Sequence, residues 1–506
     1  MSVRFRRHYH LLLLFVAAVV VSGVALRNNR ITAYTVAGAE SARRPTVNYN
    51  NRLDLFDATV VHEVVVLIAA DDQKKMVTTY QQTGNKDWFQ ADIIIDGVRI
   101  NQVGIRLKGN ASLRMAAGGG MRGGMRGGPA GGNFAPLDGA PVPQEAQPPG
   151  AGRFRPPEGF QAPGGVPPQE GAGFSGTPTG ALPYLVKLDR FVKGQRYQGL
   201  AEIALRTAGA FSDASVLQEP VTNYAMNSAG VPIARSAYVS VQVGDGQPRL
   251  YTVAEHVDQT YVDRLFPDSN GVLYKAVQPG NTFAYLGEDP TSYANVFDQE
   301  TAINRADLAP LIAFIRFVNE ASDQEFAEQL PGRFDVVAFA DYLAVHNLLA
   351  NNDSLAGMGH NYYLYYDFDA KKFTILSWDA NESLGKMTMG GGSQMDIYWE
   401  RVGGMFGRGF GGPAGSGRGT HLLLKRFLAT PAFRTLYTER YRLLYERIYG
   451  RDLLAPKIRE LTALVTAYNA GRGIVAQAAY NAAANKVLDF VAQRNEYLKS
   501  TDLLRP

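Results

Sequence analysis

Apolar positions change their rhythm partway along the chain. In the first half they form short runs. Glu63 to Ile68 reads as a buried strand, and Ala91 to Ile100 as another, broken by the Asp96-Gly97 turn. Val103 to Gly109 follows as a third strand, and Pro183 to Phe191 is strand-like. Ala237 to Val243 and Arg249 to Ala254 alternate across Gly244-Asp245-Gly246, which predicts a hairpin. One helix interrupts the strands. It runs from Ser215 to Ser228, with Asp213 as its cap, Gly230 just past its end, and Pro220 marking either a kink or the true start.

After residue 300 the spacing becomes helical. Leu308, Leu311, Ile312, Ile315 and Val318 share one face, and Phe339, Tyr342, Leu343 and His346 share another. His346, set among apolar neighbours, reads as a packed core residue. Strands return at Asn361 to Tyr366 and Lys372 to Trp378. Leu423 and Phe427 mark a short helix before Pro431. Phe433, Tyr437, Tyr441, Leu444 and Ile448 then mark a longer one. The order is strands with one helix, then helices with one embedded hairpin, then helices. It predicts an α+β protein of two lobes, strand-rich then helical, with a ligand cleft between them.

Composition adds exclusions. In 506 residues there is no cysteine, which rules out disulfides, thiolate nucleophiles and cysteine metal sites. Lysine and arginine number 51 against 47 acidic residues, a net charge of +4, so no nucleic-acid partner is expected. From Ala116 to Gly180 the chain is mostly Gly, Pro, Ala and Gln, too poor in apolar surface to offset the entropy of ordering it. We read it as a disordered insertion. A second Gly-rich stretch, Gly390 to Gly419, is interrupted by Ile397-Tyr398-Trp399. At the N-terminus Arg4, Arg6 and Arg7 precede an apolar run from Leu11 to Leu26. That is the pattern of an export signal, either cleaved or retained as a membrane anchor, and it places the bulk of the chain outside the cytoplasm.

Three polar clusters flank apolar segments: Asn351-Asn352-Asp353-Ser354, His360-Asn361, and Trp378-Asp379-Ala380-Asn381-Glu382. Asn361 opens one strand of the late hairpin and Asp379 follows its antiparallel partner, so both fall at one end. Asp353 can reach that end from the preceding helix. Two carboxylates and an amide oxygen are hard donors suited to Mg²⁺, with room left for phosphate oxygens. A carboxylate beside such a metal can take a hydroxyl proton during phosphoryl transfer. Asn and Asp are also common at turns. It is the ordered set, helix–Asp–loop–Asn–hairpin–Asp, that favours chemistry. No P-loop, H-E-x-x-H or G-x-S-x-G sequence is present.

These same segments carry a resemblance. Asn347 to Asp353, His360 to Tyr365 and Leu376 to Asp379 resemble the C-lobe signature of the CotH kinases. Upstream, Gly104 to Ser112, Leu185 to Phe191, Gly230 to Arg235, Tyr251 to Asp258 and Leu273 to Lys275 are similar to that family in the same order. The resemblance covers roughly residues 60 to 450. It implies a divergent protein-kinase-like fold, ATP with Mg²⁺ or Mn²⁺, and phosphorylation of serine on a protein substrate. It implies Asp353 as the catalytic-loop aspartate, Asp379 as the metal-binding aspartate and Asn361 as the second metal ligand. Asn361 lies eight positions after Asp353, and no His-Arg precedes that aspartate, unlike the common kinase loop.

A kinase also needs a lysine on the phosphates, held by a helix glutamate. Lys187 and Glu219 are the expected pair, with Arg106 or Lys108 as other cations able to reach the phosphates. Glu255 to Val257 would form the hinge that offers backbone groups to adenine. The chain then divides into 1–30 as signal or anchor, 31–55 as spacer, 56–258 as N-lobe carrying the 116–180 insert, and 259–506 as C-lobe carrying the 390–419 insert. Two functions fit this reading: an exported serine kinase acting on a surface or coat protein, such as a serine-rich one, and a non-catalytic kinase-like coat or adhesion protein.

Overall fold

The computed structural model of the chain describes residues 47–109, 113, 181–207, 216–268, 270–277, 279–303, 307–386, 392–399 and 421–505. The stretch 1–30, read from sequence as an export signal or anchor, and the stretch 116–180, read as an insertion, lie outside the described residues. The fold is mixed α+β.

The N-terminal part contains β1 (Val47–Tyr49), β2 (Val61–Leu67), α1 (Ala70–Thr83), β3 (Phe89–Ile95), β4 (Val98–Leu107), β5 (Tyr184–Lys187), β6 (Gln195–Tyr197), β7 (Glu202–Arg206), α2 (Gln218–Ala229), β8 (Ser236–Val243) and β9 (Arg249–Glu255). Seven of these strands close into a barrel in the order β2-β3-β4-β5-β7-β9-β8. Closure comes from a parallel pairing of β2 with β8, Val61 opposite Tyr238. The period-two alternation works as expected. Ile105, Leu107, Tyr184, Val186, Ile203, Leu205, Tyr251 and Val253 point inward into one core. The residues between them point out.

The rest contains α3 (Gln259–Leu265), β10 (Gly271–Ala276), β11 (Phe297–Gln299), α4 (Ala309–Glu320), α5 (Asp323–Arg333), α6 (Val336–Leu348), β12 (Tyr362–Asp367), β13 (Lys372–Ser377), α7 (Leu422–Ala429), α8 (Pro431–Tyr445), α9 (Leu454–Asn469) and α10 (Gln477–Ser500). The strands form a sheet ordered β11-β10-β12-β13. A second, larger core joins this sheet to the helices through Leu311, Ile315, Phe339, Leu343, Leu364, Phe373, Tyr437 and Tyr441. Helix α6 is buried almost all round, which is why apolar residues fill it. Asp335 caps its start by accepting from the Ala338 N–H at 3.0 Å.

The end of α6 positions the site, and Arg494 of α10 fixes it. Arg494 is fully buried and donates to the carbonyls of Asn347, Ser393 and Met395 and to the Asn347 Oδ1, at 2.8–3.0 Å. A cation there satisfies orphan helix carbonyls at the negative end of the helix dipole. The two residues bridged beyond α6 belong to the stretch 390–419, read from sequence as a Gly-rich insert. Residues 392–399 of it are described and packed, with Met395, Ile397 and Trp399 buried in the main core. Their apolar side chains outweigh the surrounding glycine composition. Among the described residues no helix is long and apolar enough to cross a membrane.

Candidate active site

The outer face of the barrel presents three rungs of side chains, fixed by strand register. Gly104, Lys187 and Glu202 are cross-strand neighbours on β4, β5 and β7. Two residues along, Arg106, Leu185, Ala204 and Ala254 line up across β4, β5, β7 and β9. The third rung holds Lys108, whose N–H donates to the Pro183 carbonyl at 2.9 Å, with Arg206 opposite Thr252. Leu185, Ala204 and Ala254 form a small apolar window, partly covered by Trp88. Cations stand on either side of it.

Asp353, Asn361 and Asp379 are brought together by the end of α6 and the late hairpin. Tyr362 pairs with Ser377, so Asn361 and Asp379 emerge at one end, as the sequence order implies. Asn361 Nδ2 donates to Asp353 Oδ2 at 3.0 Å and to the Asp353 carbonyl at 3.1 Å. His360 Nε2 lies 3.3 Å from Asp353 Oδ1. Behind them a buried relay sets the loop. Asn351 Oδ1 accepts from the Asp353 N–H at 3.1 Å, Asn351 Nδ2 donates to His346 Nδ1 at 3.0 Å, and His346 Nε2 reaches Ser377 Oγ at 3.0 Å. His346 is thus the core residue its setting predicted, and it ties the catalytic-type loop to the hairpin. Asn361 and Asp379 both adopt left-handed backbone, φ +57° and +56°, which Asn and Asp tolerate better than most residues. Such conformations cluster at functional sites.

The charges are unequal. Burial, then the neighbouring Asp379 and Glu382, push the Asp353 carboxyl up to about 8. Burial would also raise Asp379, but the Arg206 guanidinium, with Lys108 and His360, holds it below its ordinary value. Burial lowers His360 to about 4, so it is neutral at physiological pH. Two neighbouring carboxylates with opposite shifts are the usual mark of divided acid–base roles.

The cation that contacts Asp379 is Arg206, which sequence reading missed. Arg206 Nε donates to Glu219 Oε2 at 2.9 Å, and its NH2 donates to Asp379 Oδ1. Burial alone would lower the Arg206 pKa, but Asp379 and Glu219 outweigh it and raise it. Glu219 sits in the first turn of α2, two residues into a helix that begins before Pro220. The expected Lys187–Glu219 pair does not form. Lys187 Nζ is held instead by Glu202 Oε1 at 2.6 Å on the adjacent strand. The physical reason is register: Lys187 lies on the first rung and Arg206 on the third, nearer Asp379. The signal available in sequence was Ala204-Leu205-Arg206 on a strand, with Glu219 heading the next helix.

Arg106 stands on the second rung with its guanidinium 4.7 Å over Trp88. Glu255 is not a free hinge group. Its carboxylate accepts from Arg264 Nε at 3.0 Å and Arg235 NH2 at 3.1 Å, and its N–H donates to the Arg235 carbonyl. Glu255 therefore acts as a buried tie where β9 leaves the barrel. Val257 is packed with Tyr261, Leu273, Tyr363 and Trp378.

For a divalent metal, no group of three or more His, Asp or Glu among the described residues is placed to hold one. The donor chemistry nonetheless fits. Asp379 and Asp353 are carboxylates, and Asn361 turns its nitrogen to Asp353, leaving Oδ1 as its oxygen donor. Asp353, held near 8 beside Asp379, lacks the positive charge that would ionise it. Arg206 engages Asp379 through Oδ1, which leaves Oδ2 as its donor to a metal.

Comparison with known proteins places the chain among kinase-like proteins. Residues 181–498 match the family described as CotH kinase protein, and the chain belongs to the CotH kinase family. Inner spore coat protein H of Bacillus subtilis (strain 168) is 21% identical over 272 residues, 53% of this chain and 68% of that protein. Two solved structures align with TM-scores of 0.28. One is the HipA–HipB–operator DNA complex of Shewanella oneidensis MR-1, 11% identical, covering 60% of each chain. The other is the Helicobacter pylori proinflammatory kinase CtkA, 10% identical, covering 60% of this chain and 88% of that one.

Proposed function

We propose that this protein is an ATP- and metal-dependent kinase that transfers phosphate to serine hydroxyls of a protein substrate. The observation that carries the reading is the meeting of Asp353, Asn361 and Asp379 with a buried Arg206–Glu219 pair from the opposite element. In this reading the barrel is the N-lobe and the helical body with its sheet is the C-lobe. The apolar window of Leu185, Ala204 and Ala254 receives the adenine, and the flanking cations meet the phosphates. Family membership supports nucleotide use.

Asp353 is the base. The serine oxygen attacks the γ-phosphorus, the bond to the β–γ bridging oxygen breaks, ADP leaves, and the hydroxyl proton passes to the Asp353 carboxylate. Asn361 and His360 orient that carboxylate from either side. Arg206, anchored by Glu219, holds Asp379 in place and supplies positive charge beside the phosphates. A divalent cation on Asp379 and Asn361 would neutralise phosphate charge and favour the ionised form of Asp353.

The basic–apolar N-terminus supports export, by secretion or by a retained anchor, and the coat-protein relative supports a surface or coat substrate. The test is incubation with γ-labelled ATP, Mg²⁺ or Mn²⁺, and a serine-rich protein, followed by acid hydrolysis. Labelled phosphoserine is the expected product. Label confined to free phosphate would contradict the protein acceptor.

A further inference from the structure

Two lysines beside the site, one just past a barrel strand and one on the sheet, sit over adjacent rings and have no phosphate individually assigned to them. Lys108 leaves the end of β4, and its ammonium lies 5.7 Å over the Trp378 ring. Lys275 comes from β10, and its ammonium lies 5.8 Å over the Tyr363 ring. The two rings meet edge to face at 6.0 Å, so the ammoniums flank one aromatic step. The residue after that step is Asp379.

The balance of charge around Lys108 is unfavourable. Arg206 is matched by Glu219 and Asp379, and Lys275 has Glu300 at 3.5 Å. Among the described residues Lys108 makes no ion pair, and its strongest charged neighbours are the cations Lys275 and Arg206, ahead of Asp379 and Glu202. Burial and those cations pull its pKa down to about 7. Holding a desolvated ammonium beside two other cations is costly unless an anion arrives. The three elements involved, β4, β7 and β10, are far apart in sequence, so the cluster is a product of the fold.

We propose that Lys108 and Lys275 are a two-sided clamp on the terminal phosphate of the nucleotide, resting on the kinase reading above. Lys108 reaches from the barrel and Lys275 from the sheet. A terminal phosphate between them supplies the missing negative charge and draws the two sides together. The clamp takes over phosphate coverage that common kinases assign to a glycine-rich loop, a motif absent ahead of Lys187.

The test compares binding of ATP, ADP and adenosine to the full chain with Mg²⁺ by calorimetry. Lys108→Met and Lys275→Met are each expected to weaken ATP about tenfold or more, since a charge-assisted phosphate contact is lost. ADP should change by less than about threefold and adenosine not at all, while Lys→Arg at either position keeps most of the ATP preference. Equal weakening of ATP and ADP, or no weakening of either, overturns the clamp but leaves the kinase reading intact. A wild-type protein that binds none of the three overturns both. A second measurement needs no variant. Amine acylation of wild type, mapped by mass spectrometry, should show Lys108 and Lys275 protected by Mg²⁺–ATP and less by Mg²⁺–ADP. Equal acylation with and without ATP overturns the clamp.

Discussion

Replacing Asp353 with asparagine should stabilise the ligand-free fold while destroying the base. The Asp353 carboxyl titrates at about 8 in the fold against an ordinary 3.8. Well below pH 3.8 it is protonated whether the chain is folded or not, and it costs nothing. As pH rises the unfolded chain releases the proton first, so stability drains away up to about pH 8 and then levels off. At about 1.4 kcal/mol per unit the ceiling at pH 7 is roughly 4 kcal/mol, and relaxation of the site brings it to about 2–4 kcal/mol. Asparagine keeps the acceptor for Asn361 Nδ2 and can donate to neutral His360 Nε2, so both contacts survive. The assay is thermal unfolding without metal or nucleotide, from pH 5 to 9. Asp353→Asn should melt about 3–8 °C above wild type at pH 8, with a smaller gap at pH 5. A variant that melts at or below wild type at pH 8, or whose advantage shrinks as pH rises, would refute the reasoning.

Other perturbations test the surrounding scaffold. Arg206→Met leaves Glu219 buried without its partner and should cost about 3–5 kcal/mol in urea unfolding, much of it recovered by adding Glu219→Leu. Arg206→Lys keeps the charge but cannot fork to Glu219 and Asp379 together, so phosphotransfer should fall about tenfold with near-normal stability. Arg494→Leu strands the carbonyls of Asn347, Ser393 and Met395, and should cost about 3 kcal/mol or more by the same unfolding assay.

The helices and the late hairpin were legible because their apolar spacing is local. Leu311, Ile312, Ile315 and Val318 repeat on one face, and Tyr362 to Tyr366 needs only a turn to find Phe373 to Ser377. Barrel closure was not legible. It depends on a parallel pairing between residues 61 and 238, and nothing near either one announces it. Helix α1 also escaped, because only Met76 and Val77 are buried in an otherwise polar run, too few for a stripe. At the site, the chain order of Asp353, Asn361 and Asp379 foretold their meeting, since one loop and one hairpin join them. The Arg206–Glu219 pair did not follow from sequence, because choosing between Lys187 and Arg206 requires the register of β5 against β7. Lysine chemistry favoured the wrong rung.

The central claim, that Asp353 and Asp379 perform phosphotransfer in distinct roles, is met most directly by single-turnover transfer from γ-labelled ATP. Wild type, Asp353→Asn and Asp379→Asn would be compared, each with Mg²⁺–ATP binding measured in parallel. The account predicts label transfer by wild type. Asp353→Asn should bind Mg²⁺–ATP normally and transfer at least about 100-fold more slowly, since general base catalysis is lost. Asp379→Asn should lose the metal dependence of binding as well. Transfer by Asp353→Asn at the wild-type rate, or a folded wild type that neither binds Mg²⁺–ATP nor transfers label, would contradict it.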